Sequence, residues 1–324
     1  MPQQSEPLDF ERPIRELEDR IAELQRYSSR AEIDLSQEIA NLRTRCETLK
    51  REIFAGLTPW QRVMIARHPE RPETMDYIGH LVEDFVELHG DRGFADDRAI
   101  VTGFGTIGGE RVMIVGHRRG KTTKERVQCN FGSPHPEGYR KALLKMKLAE
   151  KLRLPVVSFV NTLGAYPGIG AEERGQSHAI AVNLLEMSRL RVPVISFVIG
   201  EGGSGGALAL CVADRLSILE NAYFSVITPE GCAAILWRDG TKAPQAAEVL
   251  RLAPKDLLEL GIVDEVIPEP LGGAHRDPPE MARILQAAIL RQLVELKPVP
   301  VDRLLAQRYE KYRRIGRLID PEAA

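Results

Sequence analysis

The sequence is poor in the features that mark a secreted, metal-clustered or membrane-embedded chain. Its four cysteines (Cys46, Cys129, Cys211 and Cys232) are far apart and form no C-x-x-C pair, which removes the usual spacing of a zinc knuckle or a disulfide framework. Cys211 and Cys232 stand among apolar residues, where a free thiol behaves as a small hydrophobe. No stretch approaches the roughly 20 apolar residues of a membrane span. Residues 1–13 are polar and acidic, without the apolar centre of a secretory leader. The seven histidines are scattered, with no H-E-x-x-H or similar ligand spacing, so no metal is expected in this chain. Neither sign of charge dominates: 44 Lys and Arg against 46 Asp and Glu leave a net charge of −2, so electrostatics suggests neither nucleic acid nor an anionic membrane as partner. A cytoplasmic, reducing setting fits these absences.

What is present is long enough for a sizeable core and falls into three parts, 1–71, 72–277 and 278–324. In the first, Ile14, Leu17, Ile21 and Leu24 follow 3-4-3 spacing, which returns at Leu35, Ile39, Leu42, Cys46, Leu49 and Ile53. Charged residues fill the other positions, the pattern of a narrow helical seam. Tyr27-Ser28-Ser29 interrupts the period and Asp34-Leu35-Ser36 can cap a second helix, so an antiparallel helical hairpin is expected. The pattern suits contact with the chain's own core and contact between subunits equally. In the middle part a helix is expected over Thr74 to His89, two strands around a Gly108-Gly109 turn, and a basic amphipathic helix from Gly138 to Leu152. Strand, glycine loop and helix then follow one another twice: Val156–Val160 leads into Gly164–Gly170, and Val194–Ile199 leads into Gly200–Gly206. This alternation predicts a layered α/β core with buried strands, and the last part reads as charged helix.

The second glycine loop carries the chemistry. Five glycines in the seven residues 200–206 end an apolar strand and open a run of small residues, Ala207 to Ala213, read as a buried helix. Such a backbone can approach a ligand closely and offers unpaired N–H groups at a helix start, the requirements of an anion or oxyanion site. A dinucleotide site would need an acidic residue about 20 positions on, and Asp214 and Glu220 fall in the wrong places. Gly116–Thr122 looks like a phosphate-binding P-loop, but only three residues separate its glycines; it is either a basic loop beside an anion or a solvated turn. Gly203-Ser204-Gly205 is read as lacking the G-x-S-x-G frame, so no nucleophile elbow is expected. If the two strands are neighbours, both glycine loops face one cleft, which suits stabilisation of an enolate of an acyl-CoA. Glu172, Glu173 and Glu201 are the nearest carboxylates, expected to be solvated or ion-paired rather than an acid/base pair. A base supplied by substrate or cofactor is therefore expected.

Six blocks, Asn130–Gly132, Pro136–Ala142, Ala165–Gln176, Gly200–Ala207, Ser225–Ala233 and Ile267–His275, resemble those of the α subunit of bacterial acetyl-CoA carboxylase carboxyltransferase, and the resemblance runs nearly end to end. It implies a crotonase-like spiral of ββα units flanked by the N-terminal hairpin and C-terminal helices. It also implies an α2β2 assembly with a β subunit that carries a zinc ribbon and binds most of the coenzyme A. Carboxybiotin on its carrier protein, charged by biotin carboxylase, would donate a carboxyl group to acetyl-CoA to give malonyl-CoA for fatty acid biosynthesis. By the same resemblance, the N–H groups of Gly205 and Gly206 would hold the biotin ureido oxygen as the catalytic donors. Gly202, Gly203, Ala207, Gly164, Ala165, Tyr166, Pro167 and Gly168 would form the wall around the cofactor. Where the family commonly reads Asp-Thr-Pro-Gly, this chain has Asn161-Thr162-Leu163-Gly164, a change that leaves open a looser loop or a retained fold without chemistry. Another crotonase-like acyl-CoA enzyme, a hydratase or a decarboxylase subunit, is the alternative; a hydratase should present paired carboxylates beside the loop.

Overall fold

The apolar runs around Phe159 and Phe197 pair side by side at the centre of the sheet, and every residue of both strands is buried. A computed structural model describes residues 8–31 and 33–316. Its eight strands are β1 (Glu83–Glu87), β2 (Ile100–Ile107), β3 (Glu110–His117), β4 (Val156–Thr162), β5 (Val194–Gly203), β6 (Arg215–Leu219), β7 (Tyr223–Ser225) and β8 (Glu265–Ile267). The sheet order is β1-β2-β3-β4-β5-β6-β8, with β7 paired to β5. The first three strands are antiparallel, joined between β2 and β3 by Gly108 and Gly109 at φ 53° and 86°, the double positive φ of a tight hairpin. From β3 onward the pairing is parallel. Helices Pro136–Leu152 and Gln176–Arg189 make the crossovers into β4 and β5. Parallel pairing puts the loops after β4 and β5 at the same sheet edge. The ten-residue β5 splits its partners, with β6 along Ile195–Val198 and β7 along Glu201–Gly203.

The expected helix from Thr74 to His89 is half helix and half strand: Thr74–Leu81 is helical, and Glu83–Glu87 forms the edge strand β1. The apolar spacing is real, but it serves two elements. Val82 and Phe85 lie over Gly105 and Gly103 of β2, where a Cβ would collide with them, so the glycines open a slot for this edge. The helix after the second glycine loop is also shorter than expected, Ser204–Leu208, because the chain turns at residues 209–211 to enter β6.

The hairpin forms as Arg12–Ala31 and Ser36–Ala55, with Asp34 accepting the Ser36 N–H (3.0 Å). Its small core, Ile14, Ile21 and Cys46, is separate from the main one. Between hairpin and sheet, helix Pro59–Ala66 is capped by Thr58 and buries Val63, Ile65 and Ala66. Met281, Leu285, Ile289 and Leu293 of helix Pro278–Leu296 belong to the main core.

Arg71, at the expected edge of the middle part, is buried in a bidentate pair with Glu269 (2.6 and 3.1 Å). Burial alone would raise the Glu269 pKa, but the Arg71 charge and hydrogen bonds from Arg71 and Asn221 outweigh it and hold the carboxyl well below its usual range. A depressed carboxylate pKa gives stability that is present above the unfolded value near 4.5 and lost as pH falls through the folded one. Unfolding free energy should therefore be insensitive to this group above pH 5 and decline below 4.5. Urea titrations from pH 7 to 3 should show a shallower acid decline in Glu269→Gln than in the parent.

Candidate active site

The two glycine loops meet because glycine lets their backbones touch. A Cβ on Gly203 would run into the Leu163 carbonyl, and one on Gly206 would lie 2.5 Å from the Ala165 nitrogen and 2.6 Å from the Gly164 carbonyl carbon. The closure leaves a cleft of about 420 Å³ between the loops. Gly164, Ala165, Tyr166 and Pro167 of the first loop line it, as do Gly205 and Gly206 of the second. The first-turn N–H groups of the helix Ser204–Leu208 have no intrahelical carbonyl to bind, and Gly205 and Gly206 of that turn line the cleft.

The other expected wall residues sit behind it. Gly202 and Gly203 are buried in β5, where Gly202 abuts the Phe224 ring, and Ala207 is fully buried in the main core. Gly168 underlies the Tyr166 ring, which a Cβ there would strike. These four shape the cleft through close packing rather than by lining it. The opposite wall, Val226, Ile227 and Thr228, follows β7 and was not anticipated. Thr228 also caps helix Pro229–Trp237 through the Gly231 N–H (3.2 Å); the sequence signals there are the apolar run Phe224–Ile227, which reads as a short strand, and the Ser225–Ala233 block.

The first loop is held rigidly. Tyr166 stacks on His135 with centroids 4.3 Å apart, and its N–H donates to the Pro134 carbonyl (3.0 Å). Gln176 Nε2 donates to both the Tyr166 and Pro134 carbonyls (2.9 and 2.8 Å). The Asn161 substitution keeps its place in the framework: Asn161 is buried and its Oδ1 accepts the Glu201 N–H at 3.0 Å, a bond that an aspartate oxygen would make equally.

Residues 202–206 do spell G-x-S-x-G, and Ser204 adopts φ 53°, the strained strand-to-helix turn of a nucleophile elbow. Among the described residues, however, no histidine lines the cleft to act as its base. Its only lining carboxylate is Glu172, so a paired acid and base are missing. Arg174 turns away to Glu137 (2.9 Å).

Glu201 is fully buried beneath the loops. It accepts from Tyr223 Oη (2.6 Å), Arg67 Nε (2.8 Å) and Arg119. Burial raises its pKa, but the charges of Arg119 and Arg67 and the Tyr223 hydrogen bond outweigh this and hold it below the usual value, so it is an anion that joins elements rather than a proton carrier. This also settles the loop that looks like a P-loop. Its Arg119 and Gly120 N–H groups donate to Glu73 (2.8 and 2.9 Å), so the anion beside it is the protein's own carboxylate. Replacing Glu201 with Gln should cost about 2 kcal/mol, less than the 3–5 of a fully buried pair because both guanidiniums reach solvent. Urea denaturation within 0.5 kcal/mol of the parent would show that the network does not hold the loops.

A family model for acetyl co-enzyme A carboxylase carboxyltransferase-like proteins matches residues 7–316. The acetyl-coenzyme A carboxylase carboxyl transferase subunit alpha of Thermus thermophilus is 53% identical over 315 residues, covering 97% of this chain and all of that protein. The subunit of the same name from Shouchella clausii is 55% identical over 316 residues, covering 98% and 97%. Among solved structures, transcarboxylase 12S superposes with a TM-score of 0.57 at 22% identity, over 72% of this chain and 42% of that longer one. A Pseudomonas malonate decarboxylase hetero-dimer gives 0.54 at 17%, over 67% of this chain and 88% of the matched one. These structures share the crotonase-like fold. With a matching family model and relatives above half identity over nearly its whole length, the chain belongs to the family of acetyl-coenzyme A carboxylase carboxyl transferase α subunits.

Proposed function

We propose that the chain, together with a β subunit, transfers the carboxyl group of carboxybiotin to acetyl-CoA to form malonyl-CoA, with the cleft between the two glycine loops holding the biotin end. The observation that carries this reading is a cleft lined by the first turn of helix Ser204–Leu208, with Gly205 and Gly206, and by a single carboxylate, Glu172. When bound, carboxybiotin supplies both the carboxyl group and the base. What remains for this chain is to bind and orient. The Gly205 and Gly206 N–H groups would donate to the ureido oxygen, where negative charge grows as the carboxyl group departs; the loss of one such donor commonly costs about a hundredfold or more in rate. Tyr166 and Pro167, fixed by His135 and Gln176, would set the approach of the ring. A hydratase is less well supported, since its chemistry calls for a second carboxylate beside Glu172.

A partner that completes the site fits the apolar residues left exposed on the loop and helix flanking the cleft residues. Ile169 is 79% exposed, Val226 76% and Ile235 73%. The β subunit of the α2β2 assembly would cover them, supply most coenzyme A contacts and carry the zinc ribbon. The carrier protein, recharged by biotin carboxylase, would bring the biotin to the remaining opening. No helix among the described residues is long and apolar enough to cross a membrane, in keeping with a cytoplasmic complex.

Reconstitution tests the reading. The purified chain mixed with its β partner should convert acetyl-CoA and carboxybiotin to malonyl-CoA, and neither subunit should do so alone. A correctly assembled pair that makes no malonyl-CoA would sink it.

A further inference from the structure

His117, the last residue of β3, is fully buried. Its backbone is fixed in the sheet, paired with Ile100 of β2, and its carbonyl accepts the Thr74 hydroxyl (2.5 Å). Its ring reaches the ends of the next two strands. Nδ1 accepts the Asn161 N–H at 3.4 Å, and the Asn161 side chain in turn accepts the Glu201 N–H at 3.0 Å. An accepting Nδ1 leaves the proton of the neutral ring on Nε2. That nitrogen is buried and has no hydrogen bond of good geometry. The polar backbone beside the ring belongs to Gly206 and Phe159, and both favour the charged imidazolium, as an accepting carbonyl does. Phe159 lies in the paired centre of β4, whereas Gly206 is passed over by its own helix: the N–H groups of Ala209, Leu210 and Cys211 go to the carbonyls of Gly205, Ala207 and Leu208. A buried donor thus stands beside a buried acceptor, and leaving both unmade is costly. We propose that His117 is a positioning residue for the second glycine loop: its Nε2–H engages the Gly206 carbonyl while its Nδ1 holds the Asn161 N–H, tying both loops to the end of β3.

This role rests on the reading that the Gly206 N–H meets the biotin end. Glycine restrains its own dihedrals little, so the direction of that N–H must be set by what surrounds it. Seating the Gly206 carbonyl on a fixed ring sets one side of the residue, and the close contact of Gly206 with the Gly164 and Ala165 backbone sets the other. An imidazole suits the place because a neutral ring offers one donor and one acceptor in a rigid plane. Burial pushes the His117 pKa down to about 3, so the ring is neutral at pH 7 and keeps both functions. His117 does not line the cleft, so it acts through the loop and not on the reacting atoms. It also gives the Gly116–Thr122 segment a use that a phosphate-binding reading missed: its second residue points inward to order the glycine loops.

The test uses the full chain assembled with its β partner. His117→Asn keeps an acceptor at the place of Nδ1 but loses the outer donor; His117→Gln puts a donor back at the place of Nε2. His117→Asn should lower kcat for malonyl-CoA formation by about ten- to a hundredfold, the order that a misplacement of about 1 Å costs, with KM for acetyl-CoA unchanged. His117→Gln should recover most of that loss, to within about fivefold of the parent. Equal loss of kcat in both variants, or parent-like kcat in a folded His117→Asn, would overturn the role. A parent pair that makes no malonyl-CoA would count against the proposed reaction instead. In that case, or if a variant does not fold, 15N spectra of the full chain labelled at histidine decide the contact. A His117 ring protonated at Nε2 and bare at Nδ1 supports it, and a proton on Nδ1 overturns it.

Discussion

Gly206→Ala is expected to lower carboxyl transfer by at least about a hundredfold and to destabilise the fold at the same time. A Cβ at Gly206 meets backbone, the Ala165 nitrogen at 2.5 Å and the Gly164 carbonyl carbon at 2.6 Å, and no side chain can rotate away to admit it. The loops must part, and a shift of about 1 Å in reacting groups costs on the order of a hundredfold in rate. Overpacking of this kind also costs about 1–3 kcal/mol. From the sequence alone, Gly206→Val would be expected to block the donors while leaving the fold intact; the structure makes valine there a breach of loop packing as well. Gly205 provides the contrast. Its added Cβ would meet only the Ile180 side chain, at an ordinary 3.7 Å, so Gly205→Ala should keep stability within about 0.5 kcal/mol. Melting curves and malonyl-CoA formation by the reconstituted pair, measured on both variants, separate the cases. If Gly206→Ala melts and turns over like the parent, the contact between loops is not what sets the cleft.

Arg308→Met should be the most damaging change far from the cleft, costing about 3–5 kcal/mol because it strands a buried carboxylate. Arg308 is 1% exposed and doubly bonded to Asp214, at 2.8 Å through Nε and 2.6 Å through Nη2. Its remaining donors satisfy the carbonyls of Met187, Leu190 and Val192 at 2.8–2.9 Å. Those carbonyls end helix Gln176–Arg189 and lead into β5, so the guanidinium of helix Val301–Arg313 fixes the entry to the strand that carries the second glycine loop. A Tm lower by about 4–7 °C is expected for a chain of this length. Adding Asp214→Asn should restore part of it, since the uncompensated charge is removed while the Val194 N–H (2.8 Å) keeps an acceptor. A single variant melting within 2 °C of the parent would mean that this pair contributes little.

The elements legible in the sequence are those whose pattern is local. The heptad seam of the hairpin, the glycine turn between β2 and β3, and the strand–loop–helix units around β4 and β5 all form near where their periodicity lies. Thr74 to His89 misled because Val82 and Phe85 satisfy a helical spacing yet fill a slot made by Gly103 and Gly105 of another strand. The short strand β8 gave no signal, since three residues are too few to show a period.

The same division runs through the sites. The sequence by itself determined the family and the two glycine loops, because each is a property of consecutive residues. Only the tertiary structure decided which glycines line the cleft and which merely let backbones close, since that depends on what stands opposite each missing Cβ. It also decided that Glu201 is a buried anchor, and that the charged C-terminal helix places Arg308 in the core. In each case a fold joins residues distant in the chain, and spacing along the chain records none of it.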